Sequence, residues 1–294
     1  MQRGMRLIAQ CYDVATGDMI EESILWDEKL SEAETLKELG YRQIEQIAFL
    51  QKIQDFKVKQ QILLNPVTQC PVCHSKTRKM GIFTSNFYAA LTDHKVVIQR
   101  MSCKCGWSGA SSVEGIYGSS MHPNLLEKQA LQGSNESYEK SSKSLDADSA
   151  GKRSINSHSQ IYKSVKYVGE LLEIVRSSDT YGRETNQENT TSAGILVANI
   201  DGGHIKARGD GRSFEAMVAK VYRPENLKAM NQNHNTVTSK TIVASAKADE
   251  QEVMKKLFKN ACIEQGMTKN TNVTCLADGA ENCWSIAHSI VNDC

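Results

Sequence analysis

Two apolar runs, each closing on an Asp-Gly pair, divide the C-terminal third of the chain. The first is Gly-Ile-Leu-Val-Ala-Asn-Ile-Asp over 194–201, followed by Gly202 and Gly203. The second is Asn-Val-Thr-Cys-Leu-Ala-Asp over 272–278, followed by Gly279. Each has the length of one buried strand, and each delivers a carboxylate where the backbone leaves the sheet. Between them the pattern predicts a strand continuing through 204–208, a turn at Gly209-Asp210-Gly211 and a return strand over 213–221. A further β-rich run follows over 236–246, then an amphipathic helix over 249–265 stopped by Gly266. Another helix begins at Glu281 and runs to 291. A right-handed helical crossover sets the last strand beside the first and parallel to it. Asp201 and Asp278 are then expected to meet at one end of the sheet.

Upstream the periodicity changes. Apolar runs at 7–12 and 19–26, separated by Ala-Thr-Gly-Asp, predict a β-hairpin. Ser31-Glu32-Ala33-Glu34 resembles a capping box, and helical spacing from Ala33 through Leu36, Leu39, Ile44, Ile47, Leu50, Ile53 and Phe56 predicts a long helix to about Leu64. That helix either packs on its own domain or offers a dimer surface. A strand over 95–101 lies between two cysteine pairs. Candidate helices follow over 124–132, 136–145 and 157–176, with a turn at Gly133-Ser134, a spacing that suits a helix-turn-helix module. The polar stretch 177–193 reads as a linker. The expected organisation is a hairpin and helix over 1–66, a cysteine-bearing ribbon over 67–118, helices over 119–176 and a carboxylate domain over 194–294.

Composition adds limits. An apolar content of 40% and a charged content of 23% describe a globular chain, and a net charge of +1 gives no bulk argument for a nucleic-acid partner. Any such argument must rest on local patches. Neither a leader nor a run of about 20 apolar residues is present, so a cytoplasmic protein with no membrane partner is expected.

Nine cysteines are unevenly placed, with Cys70, Cys73, Cys103 and Cys105 close together. Two tight pairs joined by a strand-bearing insert suit a structural Zn²⁺ in four-thiolate coordination. The second pair has a single intervening residue, and His74 and His94 are spare nitrogens. Four reduced structural thiols are the competing reading.

The third upstream helix carries His158, Gln160, Tyr162, Lys163 and Lys166 in its N-terminal half, preceded by Lys152 and Arg153. Lysine and arginine suit phosphates, while Gln and His suit base edges. A plain solvated surface helix reads almost as well. At the acid pair, Asp201 and Asp278 suit Mg²⁺ or Mn²⁺ bound through carboxylate oxygens, and two turn-initiating Asp-Gly pairs suit the same spacing.

Ile-Asp-Gly-Gly-His-Ile (200–205), Arg-Ser-Phe-Glu-Ala-Met-Val-Ala-Lys-Val-Tyr-Arg-Pro-Glu (212–225) and Ala-Asp-Gly-Ala-Glu-Asn-Cys-Trp (277–284) resemble blocks of the ISKra-type insertion-sequence transposases. The cysteine pairs, Gly-Trp-Ser (106–108), Gly-Ser-Ser-Met-His-Pro (118–123) and Ile-Asn-Ser-His-Ser-Gln-Ile (155–161) resemble the DNA-binding part of that family. The resemblance implies an α+β N-terminal region with a zinc ribbon and helix-turn-helix-like helices, followed by an α/β ribonuclease-H-like domain of the DDE type. It implies DNA strand cleavage and transfer at transposon terminal inverted repeats, acting as a homo-oligomer. Asp201 matches the first catalytic acid and Asp278 the second. The family's third acid lies on a helix well beyond the second, and Glu281 is too close to serve. The expectation is therefore a C-terminally truncated, incomplete catalytic domain without strand transfer on its own. The alternatives are an inert DNA-binding fragment or a zinc-ribbon regulator.

Overall fold

The computed structural model describes residues 3–30, 40–181, 191–206, 213–231 and 234–290. The expected capping box at Ser31–Glu34, the turn at Gly209–Gly211, most of the linker and the final residues lie outside them. The chain divides into two compact units, Met1–Val168 and Gly169–Cys294.

The first unit opens with an antiparallel hairpin, β1 (Arg3–Tyr12) and β2 (Met19–Leu30). Its turn is fixed by the Asp13 carboxylate, which accepts from the Ala15 and Thr16 amides. Helix α1 (Gln43–Leu63) begins later than the periodicity suggests. Glu45 supplies the N-terminal lock instead, accepting from the Arg42 amide at 2.8 Å. The helix rests on the hairpin through Trp26, whose ring meets Phe49 and Tyr41 edge-on at 6.0 and 5.8 Å. Lys59 pairs with Glu21 at 2.6 Å. Farther along, Ile62 and Val58 pack on the next sheet, so at least this side of α1 covers its own unit.

That sheet has three antiparallel strands in sequence order, β3 (Arg78–Tyr88), β4 (Asp93–Ser102) and β5 (Ser108–Ala110). Strict alternation along β4 buries His94, Val96 and Ile98 and leaves Lys95, Val97 and Gln99 exposed. The buried set meets Ile62 of α1 and Val113 of the short helix α2 (Val113–Tyr117). Strand β3 escaped the sequence reading because a bulge between Lys79 and Ile82 interrupts its period. Gly81 sits there at φ 103°, open to glycine alone at little cost.

Three helices follow: α3 (Pro123–Asn135), α4 (Tyr138–Ala147) and α5 (His158–Arg176), of which the last, from Gly169 on, counts with the second unit. His122 and Ser137 cap the first two through their side chains. Gly133, expected in a turn, is instead helical. A Cβ there would lie 2.6 Å from Val165 and 2.7 Å from Ile161, so the glycine lets α3 approach α5 closely.

The second unit is a four-stranded sheet in the order β10-β7-β6-β11. Strands β6 (Ile195–Lys206), β7 (Ser213–Tyr222) and β10 (Thr241–Ser245) are antiparallel neighbours, while β11 (Asn272–Leu276) runs parallel to β6. The expected β-rich run over 236–246 is split. Its first residues belong to a separate hairpin of β8 (Leu227–Asn231) and β9 (His234–Val237). Helix α6 (Glu252–Glu264) makes the crossover into β11, and α7 (Glu281–His288) follows it. Both helices bury their apolar stripes on one sheet face, against Leu196, Ala198, Ile200, Met217, Ala219, Val221 and Val243. Gly266 ends α6 at φ 94°, and the Arg223 guanidinium beneath it donates to the carbonyls of Gln265 and Thr191. One expectation is corrected here. β11 is an edge strand with alternating exposure, not a buried one, and Leu276 is 53% exposed.

Candidate functional site

The four clustered cysteines come together. Two turns of one design carry them. In the first, Cys70 donates its amide to the Ser75 carbonyl, and in the second Cys103 donates to the Trp107 carbonyl, at 2.9 and 2.8 Å. Each turn reverses through a left-handed residue just after its second cysteine, His74 at φ 58° and Gly106 at φ 94°. The second turn is one residue shorter, which accounts for its tighter Cys-x-Cys spacing. All four sulfurs lie within 4.8 Å of one another, with Cys70–Cys105 at 3.6 Å and Cys73–Cys103 at 3.3 Å. Zn–S bonds of about 2.3 Å in a tetrahedron put sulfurs about 3.8 Å apart, so the donor set fits a metal such as zinc. Hydrogen bonds from Ser75, backbone first and hydroxyl second, hold the Cys73 thiol down at about 6. Cys105, hydrogen-bonded to Cys73 and Cys70, is pushed up in turn, so the set favours its first thiolate at Cys73, the form a metal requires.

Neither spare histidine is a donor. His74 is exposed and shapes the turn. His94 is fully buried, its Nδ1 is 2.6 Å from Asp55 Oδ1, and its ring stacks on Phe87.

The expected nucleic-acid contacts divide. Lys152, His158, Tyr162, Lys163 and Lys166 are exposed, and Gln160 is half-buried. Arg153 is withdrawn from that set, because it is only 8% exposed. Its guanidinium donates to Asp93 Oδ1 (Nε at 2.9 Å) and to the carbonyls of Ala90 and Ala89, at 3.0 and 2.7 Å. Four of its five N–H donors are used inside the fold, and the group is turned away from solvent. A buried polar net extends the clamp: Ser164 donates to Gln129 Oε1, Gln129 to the Ile155 carbonyl, and Asn156 to Asp146 Oδ1. The net pins the start of α5 to α3 and α4, and Arg153 pins that whole group to the ribbon sheet. Arg153→Met should therefore cost about 3 kcal/mol, the scale for removing one partner of a buried ion pair. Urea unfolding measured with bound metal will check this; a loss below about 0.5 kcal/mol contradicts the clamp.

At the second unit's rim, β6 and β11 pair from Asn272 opposite Ile195 to Leu276 opposite Asn199. The last pair lies two residues before Asp201, which is inside β6, and two before Asp278, which is past the end of β11. Both acids are exposed. Asp201 Oδ1 accepts from the Gly202 amide and Asp278 Oδ1 from the Ala280 amide, which leaves one oxygen of each clear of these bonds. A third carboxylate, missed in the sequence, stands nearby: Glu215 on β7, held by Asn282 Nδ2 at 2.7 Å. The fully buried Cys283 thiol registers all three. Burial raises its pKa first, and the charges of Asp278, Asp201 and Glu215 raise it further. Strand alternation sets Glu215 on the face of Met217 and Ala219, opposite His204, whereas Asp201 pairs with Val218 on the other face. Glu281 is exposed at the start of α7. Among the described residues, the four cysteines are the one group of three or more ligand side chains gathered within 4.8 Å; the acids do not form another.

No described helix is long and apolar enough to cross a membrane. No family model matches the chain, and no curated protein is significantly similar to it.

Proposed function

We propose that this chain binds DNA through its ribbon and helices and carries the remnant or part of a metal-dependent strand-cleaving domain of the DDE transposase type. The observation that carries this reading is the parallel pairing of β6 and β11, whose last pair, Leu276 opposite Asn199, lies two residues before each acid. Adjacent strands lie about 4.8 Å apart, and Mg²⁺ is commonly held by one or two carboxylates while keeping several waters. Asp201 and Asp278 fit that donor set. A metal so held would polarise a phosphodiester and activate an attacking oxygen. The strand order, with three antiparallel strands, a helical crossover and a parallel fourth, supports a ribonuclease-H-like reading of the sheet. Lys152, Lys163 and Lys166 would meet phosphates, with His158, Gln160 and Tyr162 placed toward bases. The proposed substrate is the terminal inverted repeat of a mobile element, taken by a homo-oligomer.

One observation favours a second reading, a protein that binds DNA without cutting it: the three acids are not gathered into a tight triple. The two separate in one experiment. The full chain, loaded with zinc and incubated with supercoiled plasmid and Mn²⁺, is expected to convert it to the nicked form. Binding without nicking would leave the second reading, and neither binding nor nicking would end both.

A further inference from the structure

We infer that the last two turns of α5 in one copy of this chain dock on the open face of the second unit's sheet in another copy. The inference concerns self-association and holds whether or not the chain binds DNA; it gives the homo-oligomer of the reading above a surface. α5 is one amphipathic helix whose apolar stripe changes surroundings along its length. In the first unit Ile161 is fully buried and Val165 half-buried, against Gly133 of α3. From Gly169 on, within the second unit, the stripe continues as Leu171, Leu172 and Val175 with Ile174 at its border. All four are exposed, Ile174 by 66%. The opposite side of these turns is the one that is held. Glu173 pairs with Lys247 and Arg176 with Glu264, the latter at 3.9 Å. Asn260 of α6 donates to the carbonyls of Arg176 and Ser178, at 2.7 and 2.8 Å. The helix is thus anchored through its charged side and turns its apolar side outward, the reverse of an ordinary surface helix.

The same unit has a sheet face without a helix. α6 and α7 cover the side of Leu196, Ala198, Met217 and Val243. Alternation puts Ile195, Val218, Ile242 and Leu276, one from each strand, on the other side, and all four are exposed. Ile242 pairs with Lys220, Lys220 with Asn199 and Asn199 with Leu276, so these residues form one row across the sheet. The row spans three strand spacings, about 14 Å, and Ile195 lies about 13 Å along β6 from it. A helix is about 10–12 Å across and two turns are about 11 Å long, so the face takes one such helix end. The segment after α5, 182–190, is Gly-Arg-Glu-Thr-Asn-Gln-Glu-Asn-Thr and brings no apolar side chain to cover the stripe. A helix stripe that lacks a sheet and a sheet face that lacks a helix, carried by one unit, make a second copy the occupant that fits both. The sheet face outlines roughly 180 Å², well short of the about 800 Å² per partner of a stable interface. A copy that engages both its helix and its sheet roughly doubles its contact, and association is expected in the micromolar range.

The test follows sedimentation equilibrium of the full-length zinc-loaded chain, without DNA, across about 1–100 μM, the affinity range of interfaces below standard size. The parent is expected to rise above the mass of one chain as concentration increases. Leu171→Glu/Ile174→Glu on the helix and Ile242→Asp/Leu276→Asp on the sheet should each weaken association more than about tenfold, because an uncompensated charge is placed in the contact. Mixed in equal amounts, the two variants should recover a single contact and sediment as a pair, the intact helix of one on the intact sheet of the other. Unchanged zinc content and circular dichroism verify that each variant folds, and glutamine at the same positions replaces an acidic pair that does not. A parent that stays monomeric, a helix variant or a sheet variant that still associates by itself, or a mixture without recovery each overturns the docking. Duplex binding measured on the same samples keeps the two readings apart. A monomeric parent that binds DNA ends this inference alone, and an associating parent that does not bind ends only the DNA reading.

Discussion

Substituting Cys70 with serine is expected to unfold the ribbon and to loosen the unit built on it. Cys70 is fully buried and anchors the first turn through its amide as well as its sulfur. Zinc bound by such a donor set contributes about 10–16 kcal/mol in small zinc modules, on the scale of a whole domain's stability. Strands β3–β5 bury few apolar side chains of their own, and the cluster around Val96 and Ile98 borrows Ile62 and Val113 from the flanking helices. Loss of metal should therefore expose the amides of 78–110 to hydrogen exchange and free the C-terminal end of α1. The second unit has its own core around Phe258, Leu196 and Ile286 and should keep its protection. Chelation of the parent protein should reproduce the pattern. His74→Asn, which preserves a residue tolerant of left-handed backbone, should keep its zinc, as should His94→Gln if it folds. A parent protein without stoichiometric zinc, or one whose exchange is indifferent to chelator, would remove the metal from this site.

How much of this was legible in the sequence depended on the range of the interactions involved. The cysteine set was readable because two short turns carry it, and each turn is a local hydrogen-bonded unit. The chain's exit from β11 before Asp278 was readable because a glycine follows, but Asp201 is no strand end: β6 runs on through Gly202 and Gly203 to Lys206. What the sequence hid was decided across the fold. Arg153 looked like a phosphate contact because it follows Lys152 and precedes a basic helix, yet Asp93, 60 residues away, holds it inside. Gly133 looked like a turn because helix–helix distance leaves no local mark. Glu215 could not be set opposite His204 without the register of β6 and β7. The run at 272–278 has Asn272 and Thr274 alternating with Val273 and Cys275, but Leu276 and Ala277 break the alternation and give it the look of a buried strand.

Asp201→Asn is expected to lower Mn²⁺-dependent nicking by a factor on the order of 10²–10³, the scale for losing one preorganised electrostatic contact to a developing charge, without weakening DNA binding. Asparagine keeps the shape and can still accept from the Gly202 amide through its oxygen, so the sheet should not notice. The charge that would hold a metal is what goes. Removing an anion beside the proposed path of a polyanion should leave affinity equal or slightly higher, and this separates a chemical role from a structural one. Glu215 provides the contrast. Its carboxylate is engaged by Asn282 and is only half exposed, whereas Asp201 and Asp278 are open at the rim. Glu215→Gln keeps an oxygen for Asn282 and should stay within about threefold of the parent on the same scale of contact energies, while Asp278→Asn should match Asp201→Asn. Measured as initial nicking rates with binding followed in parallel, a Glu215 variant as damaged as the Asp201 variant would make Glu215 a third acid of the centre. Unchanged nicking in both aspartate variants would mean that the two acids hold no metal for the cleavage.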